Sequence, residues 1–367
     1  MSCWFCRSII PAVGTFNKKE ITETNLEKEL GIEMRFFKNR FGFNVTYWDR
    51  TNKDFPVDVS VPAQTGYTVI SRNAGEIAKQ GWEVTAFVKP VQSKNFDWEI
   101  TGAWGYTTKN EVVSIFGDIK RLTVATGAFS GSSSAYTVNE VGQPWGQMFG
   151  GGIKRIDPKD NKSAPVLGAD GLFIRQADTK FGSVLPTYTG GVQNTFNLFK
   201  NFTININVDY SYGGKFFSLS DFWGTFSGLT ARTAELNDRG IPLRDPVADG
   251  GGVHVFGVDA TGKAVNYYVD GQTYYHQFRS NSISENSIYD LSFVKLRELS
   301  LGYKLPVDKL GIGKYVKNAV FSVVSRNPWL IWSKTKGFDP SEISNVQGED
   351  GQLPGTRSVG VNLKLGF

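Results

Sequence analysis

At 367 residues the chain has room for one large domain or two ordinary ones, and its net charge of +5 is spread along the sequence. Without a concentrated Lys/Arg stripe, nucleic-acid binding has little support, and with no run near 18 apolar residues a transmembrane helix is excluded. Aromatics at 14% and 41 glycines suit a chain of half-apolar strands and turns, the composition of a transmembrane β-barrel.

Residues 1–25 give no assignable element. Met1 to Val13 holds an Arg, two Cys and a Pro rather than a charged start and an apolar core, which is not an export signal. The expectation is therefore that this chain is the C-terminal part of a longer polypeptide. Eleven strands are then predicted, all antiparallel. The first runs Lys28–Phe37, turns at Lys38-Asn39-Arg40, and is followed by Phe41–Arg50 with Phe41, Phe43, Val45 and Tyr47 outward. A loop holding Pro62 and Gly66 leads to Ala78–Lys89, and a turn at 90–95 leads to Phe96–Thr107. A connection containing the Gly/Ser-rich 127–134 follows, with two weaker strands at Pro144–Gly152 and Leu167–Arg175. Gly190–Phe199 and Phe202–Tyr212 form a hairpin about Lys200-Asn201. After a long connection come Ser292–Leu305, with a phase slip near Arg297-Glu298 that implies a bulge, then Ala319–Trp332 and Arg357–Phe367.

Two of these strands carry the membrane argument. In Phe202–Tyr212, Phe202, Ile204, Ile206, Val208, Tyr210 and Tyr212 alternate with Thr203, Asn205, Asn207, Asp209 and Ser211. At the C-terminus, Val359, Val361, Leu363, Leu365 and Phe367 alternate with Ser358, Gly360, Asn362, Lys364 and Gly366. Successive side chains on a strand point to opposite faces. A soluble antiparallel sandwich gives the same period. Lengths of about 9–11 residues and aromatic ends favour a tilted barrel strand, with lipid on one face and a wet lumen on the other. Phe367 is read as the C-terminal barrel-assembly signal. The connections also alternate between short and long, as periplasmic turns and extracellular loops do. An odd number of strands leaves the first and last without partners.

No catalytic constellation is legible. Cys3 and Cys6 form one Cys-x-x-Cys, yet a structural zinc site wants four ligands and the only histidines, His254 and His276, lie far away. No metal or cofactor is expected. Gly150-Gly151-Gly152 and Gly250-Gly251-Gly252 lack the Gly-Lys-Ser/Thr ending of a phosphate loop. In the long connections, Trp145, Trp223, Tyr274 and Tyr275, with Tyr267 and Tyr268, offer flat rings for stacking on sugars. The first four are the candidate ligand-binding residues, against the plainer reading of loop packing.

From about Leu26 to Phe367 the sequence resembles the C-terminal portion of SusC/RagA-like TonB-dependent outer-membrane transporters. The resemblance rests on 30–40 (LGIEMRFFKNR) before Tyr47-Trp48-Asp49, on Asn73-Ala74-Gly75-Glu76-Ile77 with Gly81-Trp82-Glu83, and on Pro186 with Gly190-Gly191. It rests most on Tyr289-Asp290 with 293–306 (FVKLRELSLGYKLP), then Ser325-Arg326-Asn327-Pro328 and Gly337-Phe338-Asp339-Pro340, although Pro328 stands where Leu is common. The resemblance implies that residues 26–367 are the second half of a barrel of about 22 strands. It implies a location in the cell outer membrane, import of oligosaccharides energised by the TonB complex through a part not contained here, and a SusD-like surface lipoprotein as lid. The alternative is a self-standing outer-membrane or surface β-protein that binds glycan or a partner protein without transport. No enzyme activity is expected.

Overall fold

The computed structural model describes residues 15–17, 23–60, 69–73, 75–126, 135–335, 337, 339–343, 348–349, 351, 353 and 355–367. Nine strands pair in strict sequence order as one antiparallel sheet. They are β1 (Thr24–Phe36), β2 (Phe41–Lys53), β3 (Glu76–Gln92), β4 (Phe96–Ser114), β5 (Pro186–Leu198), β6 (Phe202–Gly213), β7 (Phe293–Lys304), β8 (Asn318–Ser333) and β9 (Ser358–Gly366). Each matches a strand read from the sequence.

The other two predicted strands are not in this wall. Gln147–Ile153 belongs to a separate four-stranded sheet with Arg121–Thr126, Tyr136–Glu140 and Arg175–Ser183. It is buried on both faces, so its glycines reflect close packing: a Cβ on Gly151 would strike the Ser282 carbonyl. Within 167–175 only the bridge Leu167↔Phe173 forms before the strand starting at Arg175. Removing two strands leaves the parity unchanged. The short connections 37–40, 93–95, 199–201 and 305–317 lie at one end of the sheet, and 54–75, 115–185, 214–292 and 334–357 at the other.

The register shows why the wall has two faces. One row runs Phe36, Phe41, Val88, Ile100, Asn194, Ile206, Leu299, Ser325, Val359 across all nine strands. The next row runs Arg35, Gly42, Phe87, Thr101, Gln193, Asn207, Glu298, Arg326, Ser358. The first row is apolar apart from Asn194 and Ser325, and Asn194 accepts a hydrogen bond from the Trp98 indole at 3.1 Å. The second is polar apart from Gly42 and Phe87, whose ring lies where a Cβ on Gly42 would sit. Aromatic clusters border the apolar face. Phe36, Phe41 and Phe43 stack near the short turns, and Trp104, Tyr106, Tyr188 and Tyr212 near the long connections. Phe202 and Tyr212 sit ten residues apart on β6, about 33 Å of strand, which at a tilt of about 40° spans about 25 Å. The slip expected near Arg297 is present as a register shift between Leu296 and Glu298.

The nine-stranded sheet contributes little to a core, and most of the buried apolar residues lie elsewhere. The connections 115–185 and 214–292 form a cap at the long-connection end. It holds the four-stranded sheet, a hairpin of Val253–Val258 with Ala264–Val269, and two helices, α1 (Leu219–Phe226) and α2 (Gly271–Ser280). Ser218 caps α1 by accepting from the Asp221 amide, and Asp270 caps α2 by accepting from the Thr273 amide. Met148, Val184, Phe217, Leu219, Phe222, Phe278 and Ile283 are buried together there, each worth roughly 1.5–3 kcal/mol for the larger side chains.

Within the wall, aromatic rings stand in for side chains that glycine lacks. A Cβ on Gly81 would overlap the Trp48 ring and lie 2.6 Å from the Tyr106 carbonyl oxygen. Gly81→Ala is expected to destabilise by about 1–3 kcal/mol. Loss of less than a few tenths in a urea titration would remove this packing role.

Candidate functional site

The β8–β9 connection folds back as a strap against the polar face of the wall. Asp339 starts a short 3₁₀ turn, Pro340–Glu342, and accepts from the Ser341 amide. From β7, Lys295 reaches the strap with its side chain only 2% exposed. Its ammonium donates to Asp339 at 2.7 Å, Ser341 at 2.8 Å and Glu342 at 3.1 Å. Arg297, at the bulge, donates to Asp209 on β6 at 2.7 Å, to Asn327 on β8 at 3.2 Å and to Glu342. Lys295 and Arg297, two residues apart, face the same side by strand alternation, and the bulge at Arg297 leaves Glu298 on that polar side as well. Burial works against ionisation of Asp339, but the Lys295 and Ser341 hydrogen bonds outweigh it and hold the carboxyl below the usual range. Glu342 is depressed in the same way, burial being overcome by Arg297 and Lys295.

Further along the strap, Glu349 sits at the start of α1, 8% exposed. It accepts from Ser218 Oγ at 2.8 Å, the Ser220 amide at 2.9 Å, Ser220 Oγ at 2.7 Å and the Gly351 amide at 2.7 Å. These donors overcome burial and keep it ionised, as a helix N-terminus favours an anion. Strap and cap line a cavity of about 860 Å³. Its lining includes Ser220, Thr230, Glu235, Tyr289 and Lys334, with Arg232 paired to Asp221 at 2.5 Å. Burial, then the Asp221 charge, pushes the Tyr289 hydroxyl up to about 12, so it stays a hydrogen-bond donor at neutral pH.

The four aromatic candidates converge on the cap core rather than on this cavity. Trp145, Trp223, Tyr274 and Tyr275 all pack, partly buried, against it. Arg279 lies over the Trp223 ring at 4.9 Å and Lys79 over Trp145 at 5.8 Å. Tyr274 and Tyr275 meet edge to face at 5.0 Å. The Tyr275 hydroxyl donates to the Arg232 carbonyl at 2.6 Å, and its ring borders a second recess of about 480 Å³ with Thr225, Arg244 and His276. Tyr268 stacks on His254, and Arg239 covers its other face at 3.5 Å. Phe367 follows β9, 87% exposed. Cys3 and Cys6, with Pro62, Gly66 and 127–134, lie outside the described residues. Sequence reading did not find the Lys295–Arg297 network. The signal for it was a pair of cations in an otherwise alternating strand, and their strap acceptors Asp339 and Glu342 lie 44 and 45 positions away.

No family model matches the chain. Among curated proteins it is similar to TonB-dependent receptor P26 of Formosa agariphila, 26% identical, over 94% of this chain and 34% of that receptor. It is also similar to TonB-dependent receptor SusC of Bacteroides thetaiotaomicron, 21% identical, over 95% of this chain and 33% of that one. Among solved structures, that of the RagAB peptide transporter matches with a TM-score of 0.66 at 20% identity, over 94% of this chain and 35% of that one. The chain thus spans about a third of the length of the curated relatives it matches. In sequence and fold the chain is similar to about a third of a SusC/RagA-like TonB-dependent receptor.

Proposed function

We propose that residues 26–367 form the wall and outer cap of a TonB-dependent importer in the cell outer membrane, working with a SusD-like surface lipoprotein and the TonB complex. Residues 1–25 carry no assigned role. The observation that supports this reading best is the pair of complete rows across nine strands, one apolar and one polar. Such a wall separates lipid from water. The cap on the long-connection end would then face outward, toward cargo and lid.

The cargo we propose is an oligosaccharide. The cavity under the cap gathers hydroxyls of Ser218, Ser220 and Thr230, the protonated Tyr289 hydroxyl, and carboxylates, groups that pair with sugar hydroxyls. In this reading Trp145, Trp223 and Tyr274 fix the shape of the cap, and Tyr275, whose ring borders the second recess, is the one of the four placed to touch cargo. The test is binding by the detergent-solubilised receptor to a panel of neutral oligosaccharides and of five-residue peptides. Retention of oligosaccharides, weakened at least tenfold by deleting 214–292 with membrane insertion intact, is expected. Retention of peptides alone would overturn the cargo and leave the importer; recovery of the chain in the aqueous fraction would overturn both.

A further inference from the structure

Charge that is dispersed along the sequence is gathered in space at one end of the wall. The four short connections, 37–40, 93–95, 199–201 and 305–317, hold seven Lys and Arg residues and one carboxylate, Asp308. The four long connections hold 18 cations and 21 carboxylates. One end of the sheet is therefore strongly basic and the other slightly acidic, although the whole chain is only +5.

The seven cations are exposed and free to act on something outside the chain. Among the described residues none of them makes an ion pair. Arg40 donates to the Lys89 and Pro90 carbonyls at 3.2 and 3.0 Å, Lys317 donates to the Gly313 carbonyl at 3.3 Å, and Lys314 lies 5.8 Å from the Tyr315 ring. Neighbouring strands are about 4.8 Å apart, so turns that each join two strands recur about every 10 Å along the rim. The Debye length at physiological ionic strength is about 8 Å, so each turn feels its neighbours' charge. A row of cations along one rim matches a plane of phosphates better than it matches one small anion.

The backbone supplies a second observation. Phe-Lys-Asn occurs in two of these turns, at 37–39 and at 199–201. In both, Phe and Lys are left-handed, with φ of 53° and 55° at Phe37 and Lys38, and of 50° and 64° at Phe199 and Lys200. Gly or Asn fits that conformation; a bulky side chain there is strained. The rings gain no burial in exchange, since Phe37 is 77% and Phe199 67% exposed. Phe37 instead extends the aromatic border of the apolar face, 6.4 Å from the Phe36 ring, and Tyr315 stands exposed in the fourth connection. Exposed rings beside cations, where an apolar face ends, suit the headgroup level of a bilayer, ring toward the acyl chains and ammonium toward phosphate.

We infer that the short-connection rim binds anionic phospholipid headgroups of the inner leaflet, with Lys38, Lys200 and Lys314 on phosphate and Phe37 and Phe199 at the acyl boundary. The inference rests on the membrane-wall reading above, in which the cap faces outward and this end inward. The test is the phospholipid that the detergent-solubilised receptor retains from micelles doped equally with phosphatidylglycerol and phosphatidylcholine, washed at low and at high salt. Each cation near an anionic surface is worth about fivefold in affinity. Preference for phosphatidylglycerol is expected at low salt and should fade at high salt. Lys38→Gln, Lys200→Gln and Lys314→Gln combined should cut it at least tenfold, while Lys38→Arg with Lys200→Arg keeps it. Lys154→Gln, Lys159→Gln and Lys162→Gln, equally exposed but on the cap, should leave it within about twofold. Phe37→Asn with Phe199→Asn should raise resistance to urea in micelles yet lower the phospholipid retained. Equal retention of the two lipids, or a preference that survives loss of the three rim lysines, would overturn the inference. So would an acidic protein retained by the rim in place of lipid. Each of these leaves the membrane reading standing, whereas recovery of the receptor in the aqueous fraction removes both.

Discussion

Ile206→Arg lowers stability in lipid by about 2–4 kcal/mol, the cost of a cation near the bilayer midplane. Ile206 lies midway along β6 between Phe202 and Tyr210, in the apolar row and opposite Asn194 and Leu299. The folded-to-unfolded ratio should therefore fall about 30- to 1,000-fold. The control is the next residue. Asn207 belongs to the polar row, opposite Gln193 and Glu298, so Asn207→Arg meets water and a carboxylate and should change stability by less than about 0.5 kcal/mol. Urea titration in phospholipid vesicles, followed by tryptophan fluorescence, reads both. Equal losses at the two positions would show that the wall does not separate lipid from water.

Lys295→Met releases the strap. The substitution keeps most of the side-chain volume but strips Asp339 and Glu342 of a shared cation. Breaking a fully buried pair costs about 3–5 kcal/mol. Here the two carboxylates keep 25% and 34% of their side-chain surface exposed, and water compensates part of the loss, so about 1–3 kcal/mol is expected. The pH dependence follows from the same contacts. Both carboxyls are depressed in the folded protein. Their stabilisation is fully present above roughly pH 5 and fades as the pH falls below about 4, through the folded-state values. In Lys295→Met that acid-linked fraction should shrink. Limited proteolysis at 334–357 from pH 3 to pH 7 measures it. A strap as resistant in the variant as in the parent, at every pH, would remove Lys295 from the role.

Much of the wall was legible because its information is local. A side chain's face on a strand depends only on the parity of its position. Thus 202–212 and 358–367 disclosed an apolar and a polar face, and the spacing of turn signals gave strand directions. Parity survived even though two strands were placed in the wall wrongly, since removing two changes no direction. In place of the strand at 167–175 only the bridge Leu167↔Phe173 forms, and the one around Gly150-Gly151-Gly152 was misplaced for a physical reason. Buried on both faces inside a cap, a strand has no reason to alternate, and its glycines answer to the Ser282 and Ser284 backbone and side chain rather than to a turn.

The sequence by itself determined the two-faced antiparallel sheet, its bulge at Arg297 and the sorting of connections into short and long. Only the tertiary structure decided that 115–185 and 214–292 share one core, that Lys295 finds Asp339 and Glu342, that Glu349 seats on α1, and that strap and cap line a cavity. Those contacts join residues 44 to 131 positions apart. Period-two alternation specifies which way a residue points, but not which distant residue it meets; that is set by the packing of the whole chain.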